Sequence, residues 1–165
     1  MRLQVGMKLF NVPVVKSNNY GVNVGWFTDQ KYNSNTSIAQ VARWNEYGTK
    51  AGIPERPFMR KTIANKYKLW DNDLKTMVQK ALDDGKDVDK ALKVFGEEVK
   101  SDIQDTIING SFVKNSPITI NGGWIRRNGK SFYVKGKGFD KPLIDTGIMV
   151  ASIQARTDKE LLEDV

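Results

Sequence analysis

From residue 59 onward the apolar positions recur in steps of three and four: Met59, Ile63, Tyr67, Trp70, Leu74, Met77, Val78 and Ala81. That spacing places them on one face of an α-helix and predicts a long helix from Pro57 to Leu82, ended by Asp83-Asp84-Gly85. A second stripe of the same period, Val88, Leu92, Phe95, Val99, Ile103 and Ile107, predicts another helix from Asp87 to about Ile108. Asp87 and Asp89 fall in its first turn, where negative charge complements the helix dipole, and Asn109-Gly110 is a stop signal. Upstream the period changes to two. Leu3, Val5, Met7 and Leu9 alternate with Gln4, Gly6 and Lys8, and Tyr20, Val22, Val24 and Trp26 alternate with small or polar neighbours. Two antiparallel strands are predicted there, joined by the turn residues Lys16-Ser17-Asn18-Asn19. A polar loop over 31–36 follows. Ser37 is placed to cap a short helix that runs through Tyr47 and buries Ile38, Val41, Ala42 and Tyr47.

Downstream of the helices the pattern is that of a hairpin. Asn128-Gly129 is a strong turn signal, since both residues tolerate the positive φ of a type I′ turn. The turn pairs Arg127 with Lys130, Ile125 with Phe132, and Trp124 with Tyr133. Alternation then sets Ile125, Phe132 and Val134 on one face, and Trp124, Arg126, Tyr133 and Lys135 on the other. Charge singles out the same region. Residues 111–142 hold seven basic side chains (Lys114, Arg126, Arg127, Lys130, Lys135, Lys137, Lys141) against one acid, Asp140, and so carry most of the formal net charge of +7. A basic face bearing two aromatic rings suits a nucleic acid, with cations for phosphates and rings for stacking, or an acidic protein neighbour. A hairpin that is merely solvated is the bland alternative. Like charges facing each other at Arg127 and Lys130 argue for an anionic partner.

Composition narrows the chemistry. At 165 residues the chain fits one domain, 1–165, with a modest core; 39% of it is hydrophobic and 27% charged. No apolar run reaches the length needed to span a bilayer, and Met1-Arg2-Leu3-Gln4-Val5 is not a secretion signal, so no membrane partner is expected. With no cysteine there is no disulfide or thiolate chemistry. With no histidine there is no Ser-His or Cys-His couple and no His-containing zinc site. Acidic residues at Asp71/Asp73, Asp83/Asp84, Asp87/Asp89 and Glu97/Glu98 sit where helix ends and solvated helix faces place them, and Gly136-Lys137-Gly138 lacks the spacing of a phosphate loop. Neither an enzyme nor a cofactor is expected.

The remaining distinctive stretch joins the short helix to the long one. Gly48 can take the positive φ that closes a helix, and Pro57 suits the first turn of the next, ahead of Phe58. Glu46 and Arg56 flank a turn short enough to bring them together, and an ion pair between them is expected to set the direction of the long helix. Asn45-Glu46-Tyr47-Gly48-Thr49, followed by Pro54-Glu55-Arg56-Pro57-Phe58-Met59-Arg60, resembles the signature of the tail-completion and neck proteins of tailed bacteriophages. Lys141-Pro142-Leu143-Ile144-Asp145-Thr146-Gly147-Ile148-Met149 is similar to a second hallmark of that group, and the two motifs occur in the group's order. The resemblance spans residues 38–153 at a minority of positions. Asp145-Thr146-Gly147 also spells the triplet of aspartic proteases, but those need a β-rich chain. Asp145 or Thr146 is instead expected to cap a short helix from Gly147 to about Ile153.

The fold expected is α+β: an antiparallel sheet of about four strands packed by one long and one medium helix, with a projecting basic β-hairpin in the 111–142 insertion and a frayed tail over 157–165. The resemblance implies a structural virion protein at the head–tail junction, assembled in the bacterial host cytoplasm. It implies a homo-oligomeric ring adjoining tail-terminator, tail-tube or head-closure and connector proteins, with DNA in the lumen as a further contact. A small basic DNA-binding module is the alternative from another class, and a hydrolase using Asp145 a weaker one.

Overall fold

The computed structural model describes residues 20–163, so the strand expected at 3–9 and the turn at 16–19 lie outside the described residues. In chain order the elements are β1 (Val22–Gly25), α1 (Ile38–Tyr47), α2 (Phe58–Asp83), α3 (Val88–Asn109), α4 (Pro117–Asn121), β2 (Gly123–Arg127), β3 (Lys130–Val134), α5 (Ile148–Ala151), β4 (Gln154–Thr157) and α6 (Asp158–Glu163). The α+β class is as expected. The sheet is not: the four described strands form two separate antiparallel pairs, β1 with β4 and β2 with β3.

Helices α2 and α3 form an antiparallel pair around which the core is built. Both stripes read from the sequence lie at this contact: Leu92, Phe95, Val99, Ile103 and Ile107 of α3 are buried against Met59, Trp70 and Leu74 of α2. One position departs. Tyr67, at the edge of the α2 stripe, stays exposed, whereas Thr62 is buried with its hydroxyl donating to the Phe58 carbonyl at 2.8 Å. Such back-bonding lets a polar residue sit in a helix interior without an orphaned group. Between the helices Gly85 takes a φ of 62°, and the Lys86 amide reaches back to the Ala81 carbonyl at 2.7 Å.

The β1–β4 pair lies on α3, in the register Val22↔Thr157 to Gly25↔Gln154. Ala155 and Thr157 of β4 are buried against the helix. The approach is close at Gly96, where an added Cβ would stand 2.6 Å from Val22 Cγ2 and 2.9 Å from Ala155 Cβ. Glycine costs a helix about 1 kcal/mol relative to alanine, and the seating of the strands is what this position returns. Gly96→Val is accordingly expected to lower the unfolding free energy by about 1–3 kcal/mol, as overpacking does. Denaturant titration checks this; unchanged or higher stability would mean that the strands do not sit on α3.

The segment after β4, expected as a frayed tail, forms helix α6 as far as Glu163. Thr157-Asp158-Lys159-Glu160 closes a capping box: the Thr157 amide donates to Glu160 Oε2 at 2.8 Å and the Glu160 amide to Thr157 Oγ1 at 3.3 Å. Lys93 of α3 then reaches across with its ammonium, donating to both Glu160 carboxylate oxygens (2.9 and 2.8 Å) and to the Ala155 carbonyl at 2.6 Å. The hydrogen bond from Lys93, then that from the Thr157 amide, holds the Glu160 carboxyl below its ordinary value of 4.5. The folded state therefore binds fewer protons at this group than the unfolded chain. Its contribution is complete above about pH 4.5 and is lost as pH falls through the lowered folded value. Glu160→Gln should flatten the slope of stability against pH in that acid window, as measured by thermal melts.

Candidate functional site

The joint between α1 and α2 brings both sequence-marked charges indoors, but not to each other. Ser37 caps α1 by accepting from the Gln40 amide, as expected, and the helix ends at Gly48 with φ 67°. A tight turn follows, closed by Thr49 N–H to Ile53 O (2.9 Å) and by the Ile53 amide on the Thr49 hydroxyl (3.2 Å). Proline 57 disfavours helical backbone at Arg56, whose amide donates to the Asn45 carbonyl at 2.7 Å. Helix α2 then starts with Pro57 at its N-cap and no side-chain cap of its own.

The missing cap is Glu46. Its side chain is fully buried, and its carboxylate accepts from the Met59 amide (2.8 Å) and the Arg60 amide (3.1 Å) in the first turn of α2. A helix N-terminus presents unpaired N–H groups and the positive end of the dipole, so a carboxylate from another helix both satisfies and neutralises it. Arg60 completes the arrangement. It donates through Nε to Glu46 Oε1 at 2.8 Å and through Nη2 to the Glu46 carbonyl (2.8 Å) and Glu55 Oε1 (2.6 Å), with its guanidinium over the Tyr47 ring at 4.7 Å. These bonds, Glu46 first, raise the Arg60 pKa above its ordinary value.

The expected Glu46–Arg56 pair is thus corrected to Glu46–Arg60. Arg56 precedes the helix and reaches toward residues 113–115, whereas Arg60 lies in the helix's first turn and folds back over Tyr47. Buried Arg56 holds the start of the basic insertion. Its Nε donates to the Val113 carbonyl at 2.9 Å, and its Nη groups reach the Lys114 carbonyl, Asn115 Oδ1 and Asn45 Oδ1, each at 3.3 Å. Burial pushes the guanidinium pKa down and Asp140 nearby pushes it back up. Asp140 itself accepts from the backbone and side-chain N–H groups of Asn115 at 3.0 and 3.1 Å.

The second motif forms the turn into α5. Pro142 and Leu143 open it, and Leu143 has the left-handed φ of 66° that side chains of its size rarely adopt. Lys137 pins this turn by donating to the Lys141 and Ile144 carbonyls, both at 2.6 Å. Desolvation lowers the Lys137 pKa, opposed by Asp145 and Asp140. Gly147, φ 79°, is the N-cap of α5, and the Ile148 amide donates to the Thr146 hydroxyl at 3.4 Å; Asp145 is exposed. The helix expected from Gly147 to Ile153 is only Ile148–Ala151, because the chain must turn into β4. Carbonyls of α5 and of the residue after it are taken by distant side chains: Met149 by the Trp26 indole (2.7 Å), Val150 by Gln104 (3.0 Å) and Ser152 by Gln30 (2.7 Å).

The hairpin has the register read from its turn. Trp124 pairs with Tyr133, Ile125 with Phe132 and Arg127 with Lys130, around Asn128 (φ 52°) and Gly129 (φ 77°). Trp124 and Tyr133 meet edge-to-face at 5.8 Å, yet they are 72% and 59% exposed. No hydrophobic residue of β2 or β3 joins the core cluster. Helix α4, unforeseen, clamps the base: Lys137 N–H donates to Thr119 O at 3.0 Å and Gly138 N–H to Ile120 O at 2.9 Å. Its signal was Ser116 ahead of Pro117, an N-cap followed by the proline favoured at the first helical position. A Cβ at Gly136 would lie 2.3 Å from Gly122 N, so glycine is required where the strand returns past α4.

These three sites adjoin: Arg56 connects the joint to the insertion, and Lys137 connects the insertion to the second motif. Among the described residues no group of three or more acidic side chains is arranged to hold a metal ion, and no helix is long and apolar enough to cross a membrane. Comparison with known protein families, characterised proteins and solved structures finds no match to the chain.

Proposed function

We propose that this chain is a structural virion protein of the phage head–tail junction, a tail-completion or neck subunit that forms a ring and acts by protein–protein contacts rather than by chemistry. The reading is carried by one observation: both sequence motifs of the resemblance serve as joints, while a cationic aromatic hairpin stands outside the core. In the first motif Glu46 and Arg56 are buried and saturated with hydrogen bonds, as scaffold residues are. In the second, Gly147 opens α5 and the carbonyls of Lys141 and Ile144 are held by Lys137. A ring subunit needs a rigid frame and a surface left over for neighbours. The neighbours in this reading are further copies of the chain and adjoining tail-terminator, tail-tube or head-closure proteins, met in the virion after assembly in the host cytoplasm.

Deleting the gene from the phage is expected to leave filled heads and separate tails, or tails of aberrant length, in electron micrographs of lysates. Normal joined particles without the protein would reject the reading. A second reading, a small basic DNA-binding module, is favoured by the same-face placement of Trp124, Tyr133 and Arg126. Salt separates the two, because a protein held by phosphates loses affinity steeply as salt is added.

A further inference from the structure

The hairpin face that carries Trp124 and Tyr133 also carries Arg126, with Lys135 just beyond β3. Neither cation has an ion pair or a side-chain hydrogen bond among the described residues. Among the described residues its two cations are therefore unpartnered, on a face that is apolar in its rings and positive in its charge.

The opposite pattern lies along the seam between α2 and α3. Lys66 pairs with Asp102 at 2.8 Å and is also attracted by Asp105 and Glu98. Asp73 stands close enough to Glu98 to act on its charge. Three carboxylates thus act on one ammonium, with Asp73 beyond Glu98 as a fourth acid along the seam. Asp102 is fixed by the buried Trp70 indole, which donates to Oδ2 at 2.8 Å. Desolvation, then repulsion by Asp73 and Asp102, raises the Glu98 pKa, opposed by Lys66. Two exposed apolar side chains flank the acids. Leu69, 57% exposed, lies one turn before Asp73, and Val94, 60% exposed, one turn before Glu98.

We propose that the β2–β3 hairpin of one copy of this chain docks on the acidic α2–α3 seam of a second copy. Trp124 and Tyr133 cover Leu69 and Val94, while Arg126 and Lys135 meet Glu98 and Asp105. The two surfaces are different patches of the same chain, so the contact is head-to-tail. Repeated, it generates a closed ring or an open filament rather than a two-fold dimer. Opposite charges on the two patches also steer the encounter and disfavour wrong orientations. The inference rests on the reading that the chain assembles with itself, and it names the contact.

The test is charge reversal followed by rescue. Arg126→Glu/Lys135→Glu and Glu98→Lys/Asp105→Lys alter exposed residues and should leave the melting temperature nearly unchanged. Each variant alone should self-associate about tenfold or more weakly in sedimentation velocity, and a mixture of the two should associate again. Because the chain has no cysteine, Arg126→Cys and Glu98→Cys each introduce a single thiol. Mixed at high protein concentration with diamide, they should give a disulfide-linked dimer, whereas Lys50→Cys mixed with Glu98→Cys should not. No cross-link, unchanged association of the reversed variants, or failure of the mixture to recover would overturn the contact. So would loss of binding to a DNA duplex in Arg126→Glu/Lys135→Glu with self-association intact, which would assign the face to nucleic acid. A neck ring whose subunits meet elsewhere would overturn this contact and leave the proposed function standing. A hairpin–seam contact in a protein whose deletion leaves joined particles would do the reverse.

Discussion

Alanine in place of Glu46 is expected to lower the unfolding free energy by about 3 kcal/mol, the sum of a lost helix cap and a buried amide left without an acceptor. The substitution removes the acceptor for the Met59 and Arg60 amides and the partner of the Arg60 guanidinium. The Met59 amide is then a buried donor with no acceptor, and α2 starts without its cap. Glu46→Gln keeps one acceptor oxygen and loses the charge, so its cost should be smaller, about 1–2 kcal/mol. A double-mutant cycle of Glu46→Gln with Arg60→Gln should show coupling of at least about 0.5 kcal/mol. The corresponding cycle with Arg56→Gln should be additive to within about 0.5 kcal/mol. Denaturant unfolding gives all of these numbers. Coupling to Arg56 in place of Arg60 would contradict the arrangement at the joint.

Arg56→Met should cost about 2–4 kcal/mol for a related reason. Methionine fills much of the space of the arginine stem but donates nothing, so the Val113 and Lys114 carbonyls and the Asn45 and Asn115 amide oxygens each lose a donor. The effect should also be directional. Hydrogen exchange should quicken in residues 113–122, where the insertion leaves the joint, before it quickens at Leu92 or Ile103 in the core. Arg56→Lys should rescue little, because one ammonium cannot serve acceptors spread around a planar fork. Full rescue by lysine would mean that charge alone, and not the fork geometry, holds the insertion in place.

Periodicity was enough to locate α2 and α3 to within a residue at each end, because a stripe repeated over many turns leaves little choice of face. The β2–β3 register was equally legible, since Asn128-Gly129 accepts a turn that few other pairs do and the turn sets the pairing. Short elements were harder. Helix α4 has five residues and α5 four, too few for a period to show. The capping box at Thr157 and Glu160 was visible in the sequence, but it lay in a charged stretch whose anchor, Lys93, comes from α3. At the site, the importance of Glu46 and Arg56 was legible and their pairing was not. The turn between them suggested proximity, which Pro57 then redirected.

The sequence by itself determined where the two long helices run, where the hairpin turns and where the positive charge gathers. These depend on residues within a few positions of one another, whose spacing and turn chemistry act whatever the rest of the chain does. Tertiary structure alone decided that β1 pairs with β4, more than a hundred residues on, and that Gly96 is the place where this pair is seated. It also decided that Glu46 caps a helix other than its own and that Arg56 braces a loop some sixty residues away (|i−j| of 57 to 59). Each of these joins groups far apart along the chain. A buried carboxylate or guanidinium takes whichever partners packing brings within about 3 Å.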